Sequence, residues 1–454
     1  MRSALFSSQA NYQLCRFIIH FKSMICSRIK NYVILLQLML LLLPASLTYA
    51  ERVYLDITAQ DMRKIVVAVP WFTDSTGSVD EQHARSVAEL LARGLEFHGF
   101  IDILDPQQYG GQKDVDWKML GADYVVMGKY ELNGTEMMLE GRLLDVSEDR
   151  MLAGRRYRGS VKQWDNMTLR LCDALIEEFT GEKGVSRSRI GFVSDATGKK
   201  EVYVANILGL DMRQVTRHKH LVVSPRFSPD GTHLAYSSYH TGNQNLYLTD
   251  LRQNQVTRAI SRRKGMNLAP AWSPDGKSMI LTLSKDGSPD LYLIDQEGKV
   301  MKRLTAKAGI NVSPTWSPDG KFIAFVSDRS GTPQIYILNL KKNRIRRLTF
   351  EGNENTEPSW SPKGDQIAFT SRKEGTTQIM VINPDEPLSA KQISSGWGEF
   401  ESPSWSPDGK LIAFSRRRNG KQQICVMQKN GRDIRVLFDV PGNQSYPQWT
   451  VARE

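Results

Sequence analysis

Along residues 51–180 the apolar positions change period several times. Lys64 to Val69 is a strand-like run, whereas Val87, Leu90, Leu91 and Leu95 recur at helical spacing and predict a helix over Glu81 to Glu96. Phe100 to Leu104 turns strand-like again. Tyr124 to Lys129, Met137 to Asp145 and Met151 to Gly159 predict meandering strands, separated by Asn133-Gly134 and by the polar stretch Ser147 to Arg150. Trp164 to Phe179 carries Met167, Leu171, Leu175, Ile176 and Phe179 on one side and predicts a closing helix. The expectation is a small α/β N-terminal domain over residues 51–180 and a linker over 181–188, which holds Gly181 and Gly184.

From Arg189 onward the pattern repeats. The unit is Pro-x-Trp-Ser-Pro-Asp-Gly, a strand such as Ile323-Ala324-Phe325, a glycine-containing turn, a strand such as Gln334-Ile335-Tyr336, and a fourth strand ending in Arg-x-Leu-Thr. Its aromatic falls at Phe227, Trp272, Trp316, Trp360, Trp405 and Trp449, at intervals of 45, 44, 44, 45 and 44 residues. Four short strands at this period make a propeller blade. In Ser-Pro-Asp-Gly, at 273–276, 317–320 and 406–409, proline presets φ, aspartate bonds local backbone and glycine relieves the fourth position of a tight turn. Lys363 replaces the aspartate once, so the aspartate reads as a turn former and not as a metal ligand. The region begins with strand types two, three and four and ends with a lone type one. Residues 446–451 are therefore expected to complete a blade with 190–216, closing an all-β six-bladed β-propeller over 189–454. One aromatic per blade at a fixed strand position reads as packing between neighbouring blades.

Charge at first suggests a polyanion partner, because Lys and Arg number 60 against 49 acids. Five of those bases, Arg2, Arg16, Lys22, Arg28 and Lys30, lie within residues 1–50, which hold no acid; the remainder carries 55 bases against 49 acids, a net +6. No nucleic-acid partner is expected. The same opening segment has an apolar run from Val33 to Leu43, Pro44, and a small-residue exit ending at Ala50, the form of a secretory signal over 1–50. Met24 is the alternative start that gives this signal ordinary proportions. An exported chain that does not span the membrane follows. Of its four cysteines, Cys15 and Cys26 leave with the signal, and Cys172 and Cys425 read as buried small hydrophobes.

No nucleophile elbow, zinc-helix motif or phosphate loop is present. His218, His220, His233 and His240 cluster in the first full repeat at loose spacing and read as surface or loop histidines. The informative parts are the loops. Hairpins joining strands two and three share an end of the propeller with the connections 217–224, 262–269, 306–313, 350–357 and 395–402. That face is expected to carry Leu221, Val222, Ser224, Arg263, Asn267, Asn311, Glu354, Asn355, Glu357 and Trp397. Both charge signs together suit a folded protein partner. Two other classes remain beside an adaptor: a propeller enzyme, hydrolase or lyase, acting at the channel mouth, and an unrelated ligand-binding propeller.

The leader, the small α/β domain and six repeats with Pro-x-Trp-Ser-Pro-Asp-Gly and Arg-x-Leu-Thr resemble the TolB family of the Tol-Pal cell-envelope system, across essentially the whole mature chain. Similar repeats occur in propellers of prolyl oligopeptidase relatives, which also need a hydrolase domain. The resemblance implies a non-enzymatic periplasmic monomer without cofactors, supporting outer-membrane invagination at division and envelope integrity. It implies that the propeller binds the peptidoglycan-associated lipoprotein Pal near the mouth of its central channel, by a surface including Leu221 to Ser224. It also implies that the mature N-terminus, Glu51-Arg52-Val53-Tyr54-Leu55-Asp56-Ile57, pairs with the inner-membrane protein TolA; alternating Val53, Leu55 and Ile57 suit an added strand.

Overall fold

The computed structural model describes residues 63–74, 81–109, 115–252, 257–306 and 308–451, so the expected secretory signal over 1–50 and the expected TolA-binding segment 51–57 lie outside the described residues. The N-terminal part contains strands β1 (Ile65–Ala68), β2 (Thr73–Asp74), β3 (Ile101–Ile103), β4 (Tyr124–Asn133), β5 (Glu136–Asp145) and β6 (Arg150–Ser160), with helices α1 (Glu81–Glu96) and α2 (Trp164–Thr180). The sheet order is β3-β1-β4-β5-β6, with β2 beside β4. The short strands β1 and β3 run parallel through the helix α1 crossover, and the three long strands follow as an antiparallel meander.

Both helices bury the faces their spacing marks out. Val87, Leu91 and Leu95 of α1 join Leu171, Leu175 and Phe179 of α2 in one core with Val67, Val126 and Leu139 of the sheet. Close seating needs Gly141: a Cβ there would lie 2.4 Å from the Leu171 side chain. Helix α2 stops at Gly181, whose φ of 74° turns the chain left-handed while its N–H bonds the Glu177 carbonyl.

The remaining strands form six four-stranded antiparallel blades. Blade 1 starts with Val222–Phe227, blade 2 with Asn267–Trp272, blade 3 with Asn311–Trp316, blade 4 with Glu354–Trp360 and blade 5 with Glu399–Trp405. In blade 6 the innermost strand is the last in sequence, Gln444–Thr450, paired with Arg189–Ser194, then Glu201–Asn206 and Arg213–Gln214. Joining both ends of the propeller sequence in one blade gives Arg189–Ser194 a partner on its inner side.

One repeated device joins the blades and another ties each blade internally. The indole N–H of Trp272 donates to the Arg226 carbonyl, that of Trp316 to Ala271 and that of Trp405 to Ser359, at 3.1 to 3.3 Å. Each acceptor directly precedes the equivalent aromatic of the previous blade, so this residue joins neighbours as well as filling space. The Thr of Arg-x-Leu-Thr acts within its blade. Thr305 donates to Asp290 and Thr349 to Gln334, both at 2.8 Å, while each hydroxyl accepts from the next backbone N–H, of Leu291 or Ile335. A buried polar pair is thereby satisfied inside the sheet.

In the turns, the serine hydroxyl donates to aspartate in Ser273–Asp275, Ser317–Asp319 and Ser406–Asp408 at 2.5 to 2.6 Å. This bond holds the Asp319 carboxyl down at about 2. Where Lys363 interrupts the motif, Ser361 donates to Asp365 instead, at 2.8 Å. The displaced position has another use: the Lys363 ammonium bonds Glu182 of the linker at 2.6 Å, and Lys410 approaches the same carboxylate at 3.4 Å. The two parts of the chain also meet where Phe97 packs among Ile190, Phe192, Leu411 and Trp449, with Arg435 donating to the Phe97 carbonyl.

Candidate functional site

The loop face is assembled blade by blade through backbone bonds. Tyr239 N–H bonds Leu221 O, Ser284 bonds Met266 and Asn353 bonds Arg372, at 3.0 to 3.3 Å. Each joins the connection entering an innermost strand to the hairpin between strands two and three. Both loop sets therefore rim the same mouth of the channel, opposite the turns that meet Glu182.

The channel itself is a cavity of about 710 Å³ lined by residues from the innermost strands of all six blades. Six non-glycine residues on its wall, Ser224, Ala269, Ser313, Glu357, Ser402 and Tyr446, have φ between 50° and 57°. Each precedes a proline, and the ladder register slips beside each one. A residue before proline ordinarily avoids helical dihedrals, and a left-handed one carries an additional steric cost. The bulge recurs at the same place in every innermost strand and bends each one there.

One sector of the wall is charged. The Glu357 carboxylate accepts from the Thr370 hydroxyl at 2.9 Å, and from the Ser402 N–H and hydroxyl at 2.8 and 2.9 Å. Burial lowers the Arg226 pKa while Glu357 opposes the shift. Burial raises Glu401, and the neighbouring Glu357 charge adds to it; Tyr446 is raised by burial and by the same two acids. Cys172 and Cys425 are buried free thiols; burial pushes Cys425 up to about 11, far from a reactive thiolate. Among the described residues, no group of three or more His, Cys, Asp and Glu side chains is disposed to hold a metal ion. Also among them, no helix is long and apolar enough to cross a membrane.

The structure separates the expected face residues into two sets. Leu221, Ser224 and Glu357 line the channel, Glu354 is exposed beside Arg372 at 3.4 Å, and Trp397 is 62% exposed with Arg418 stacked on it. Val222, Asn267, Asn311 and Asn355 are fully buried, which corrects their reading as surface contacts. Their amides are internal ties: Asn311 bonds Asp290 at 2.9 Å and accepts from Arg329 at 2.6 Å, and Asn355 bonds Gln334 at 2.8 Å. Arg263 bridges neighbouring blades, bonding Ser261 at the end of blade 1 and the Gly298 carbonyl in the outer hairpin of blade 2. His218 and His240 are not free surface groups either, since their rings lie 4.1 Å apart against Tyr247, joined through the Ser238 hydroxyl.

Rim residues that the pattern did not single out are Met266, Ile310 and Phe350, exposed at 40%, 46% and 54%. Leu221, Met266 and Ile310 occupy one repeated position, immediately before the innermost strands of blades 1, 2 and 3. The equivalent residues of blades 4 and 5 are Glu354 and Glu399. The mouth thus has an apolar crescent facing one of paired charges, Glu354 with Arg372 and Glu399 with Arg417. Superimposing the repeats at their 44–45-residue period reveals this division; scanning each loop for polar residues does not.

Comparison with known proteins places these features in a family. A family model described as the TolB beta propeller domain matches residues 176–453, and one described as the TolB amino-terminal domain matches 53–152. The chain is 49% identical over 211 residues to the Tol-Pal system protein TolB of Desulfotalea psychrophila, covering 46% of this chain and 48% of that one. It is 39% identical over 236 residues to the protein of the same name from Desulfosudis oleivorans, covering 49% and 54% respectively. In these alignments the chain spans about half the length of the curated relatives it matches. The crystal structure of TolB from Acinetobacter baumannii superimposes with a TM-score of 0.75 at 26% identity, covering 86% of this chain and 97% of that one.

Proposed function

Because this chain belongs to the TolB family, we propose that it acts as a non-enzymatic adaptor of the Tol-Pal system in the periplasm. In this reading the propeller mouth holds the peptidoglycan-associated lipoprotein Pal and the N-terminal segment 51–57 pairs with TolA, supporting outer-membrane invagination and envelope integrity. The observation that carries the reading is the order and extent of the two family matches, 53–152 and 176–453, which take in both domains. The mouth is chemically suited to a folded protein. Leu221, Met266 and Ile310 offer apolar anchors, Trp397 a large exposed aromatic, and Glu354 and Glu399 a polar margin.

The test is recovery of partners from the envelope of the source cell by the tagged, exported chain. Recovery of a peptidoglycan-associated lipoprotein, lost on Met266→Asp with Ile310→Asp, is the expected result. A correctly folded chain that recovers no such lipoprotein overturns the assignment.

A further inference from the structure

Strand β6 forms one outer edge of the N-terminal sheet and, at 11 residues, is the longest strand among the described residues. On one side it pairs with β5; no strand occupies its other side among the described residues. The direction of its free backbone groups follows from one bond, Val161 N–H to the Thr135 carbonyl at 2.9 Å, adjoining the opposed pair Glu136 and Ser160. Hydrogen-bonded pairs alternate along an antiparallel ladder. Arg155, Tyr157 and Gly159 therefore direct N–H and C=O towards β5, and Gly154, Arg156, Arg158 and Ser160 direct theirs to the open side. The Arg155 guanidinium reaches the Gly154 carbonyl at 3.1 Å, in keeping with that direction.

The same edge is uniformly basic. Arg150, Arg155, Arg156, Arg158 and Lys162 fall between residues 150 and 164 without one acid. Glu140 pairs with both Arg156 and Arg142, leaving one net positive charge on the trio. Arg155, Arg158 and Lys162 are exposed and have no ion pair among the described residues. Charged side chains, shortness and bulges are separate means of guarding an edge against pairing, and this edge has only the first along most of its length. Here the register irregularity is confined to the start of the strand, opposite Leu143 and Leu144. An edge of one sign rejects a second copy of itself and admits a strand of opposite sign.

We propose that the β6 edge docks an extended acidic segment of a protein partner, which adds a strand through the outward groups of Gly154, Arg156 and Arg158. Carboxylates at alternate positions of that segment meet Arg158 and neighbouring cations, because side chains two apart share a face. A phosphate-bearing lipid surface uses the cations but has no use for the ladder, and the free ladder favours the peptide.

The purified full chain is titrated with a labelled Thr-Glu-Val-Glu-Thr-Glu-Val peptide, with its lysine-for-glutamate counterpart as control. The expected result is saturable binding of the acidic peptide only, with slowed amide exchange at 154, 156 and 158. Gly154→Pro keeps every arginine and removes one outward N–H, a change an edge strand tolerates; it should weaken binding about tenfold, as should Arg158→Glu. Absence of binding by the acidic peptide overturns the proposal. So does retention of affinity by folded Gly154→Pro, or capture of phosphatidylglycerol vesicles in place of the peptide. If Gly154→Pro does not fold, amide protection and Arg158→Glu in the otherwise intact chain decide the question.

Discussion

Trp449 and Ser188 are joined by a hydrogen bond of 2.6 Å across 261 residues of sequence, indole N–H to hydroxyl. The bond ties the last blade strand to the residue just before the propeller, and Trp449 is 4% exposed, packed with Phe97 of the N-terminal part. One side chain therefore holds together the ring closure, the linker and the domain contact. Trp449→Phe retains most of the apolar surface and removes the donor. It should lower stability by about 1–2 kcal/mol, read from urea unfolding of the chain.

The left-handed residues before proline make a separate prediction. Ala269 has φ 50° and no side-chain hydrogen bond to lose. Ala269→Gly removes a steric cost that exceeds the added freedom of the unfolded chain, so a gain on the order of 0.5–1 kcal/mol is expected. Ala269→Val should shift the denaturation midpoint in the opposite direction. Equal midpoints for all three proteins would mean that the bulge carries no strain.

Asn311 and Ile310 are neighbours in sequence with opposite roles. Asn311 is fully buried and bonded to the Asp290 carboxylate, whereas Ile310 is 46% exposed at the rim. Asn311→Ala should cost about 1–3 kcal/mol of stability by leaving its partners unsatisfied. Ile310→Asp should leave stability within about 0.5 kcal/mol and weaken lipoprotein binding at least about tenfold. Calorimetric titration paired with thermal melts separates the two effects.

Acid should loosen the seam between the domains. His98 is 5% exposed; its Nδ1 lies 2.9 Å from the Gly94 carbonyl and its Nε2 accepts from Val185 N–H at 3.3 Å. The bond from Val185 requires an unprotonated Nε2 and is lost when the ring takes up a proton, whereas the Nδ1–H donated to Gly94 is kept in both forms. Burial holds the His98 pKa below 6.5, while Asp173 and Asp408 oppose the shift and Lys410 reinforces it. With a depressed folded pKa, the unfolded chain binds the proton first. The His98 contribution is thus complete above the unfolded value near 6.5 and is lost as pH falls towards the folded value. Unfolding free energies compared at pH 7.5 and 5.5 should fall more in the native chain than in His98→Gln.

The repeat period, the Ser-Pro-Asp-Gly turns and the out-of-phase strand order were enough to read six blades, because tight turns and blade-length repeats are local properties of the chain. Helices α1 and α2 were equally legible, since their apolar faces recur at the helical period. The binding face was less so. In the loops, Asn267, Asn311 and Asn355 look like exposed recognition residues, yet each is drawn inward by a partner at or just before the third strand of the preceding blade, Gln244, Asp290 and Gln334, a pairing no local pattern reveals. Lys363 likewise looks like a defect in a turn until Glu182 arrives from the linker. The chain's own order of apolar, turn and repeat residues determined the architecture, the two domains and the family. Which loop side chains reach solvent, which tie blades together and which edge stays open were decided only by tertiary packing, because burial and hydrogen-bond satisfaction depend on neighbours distant in sequence.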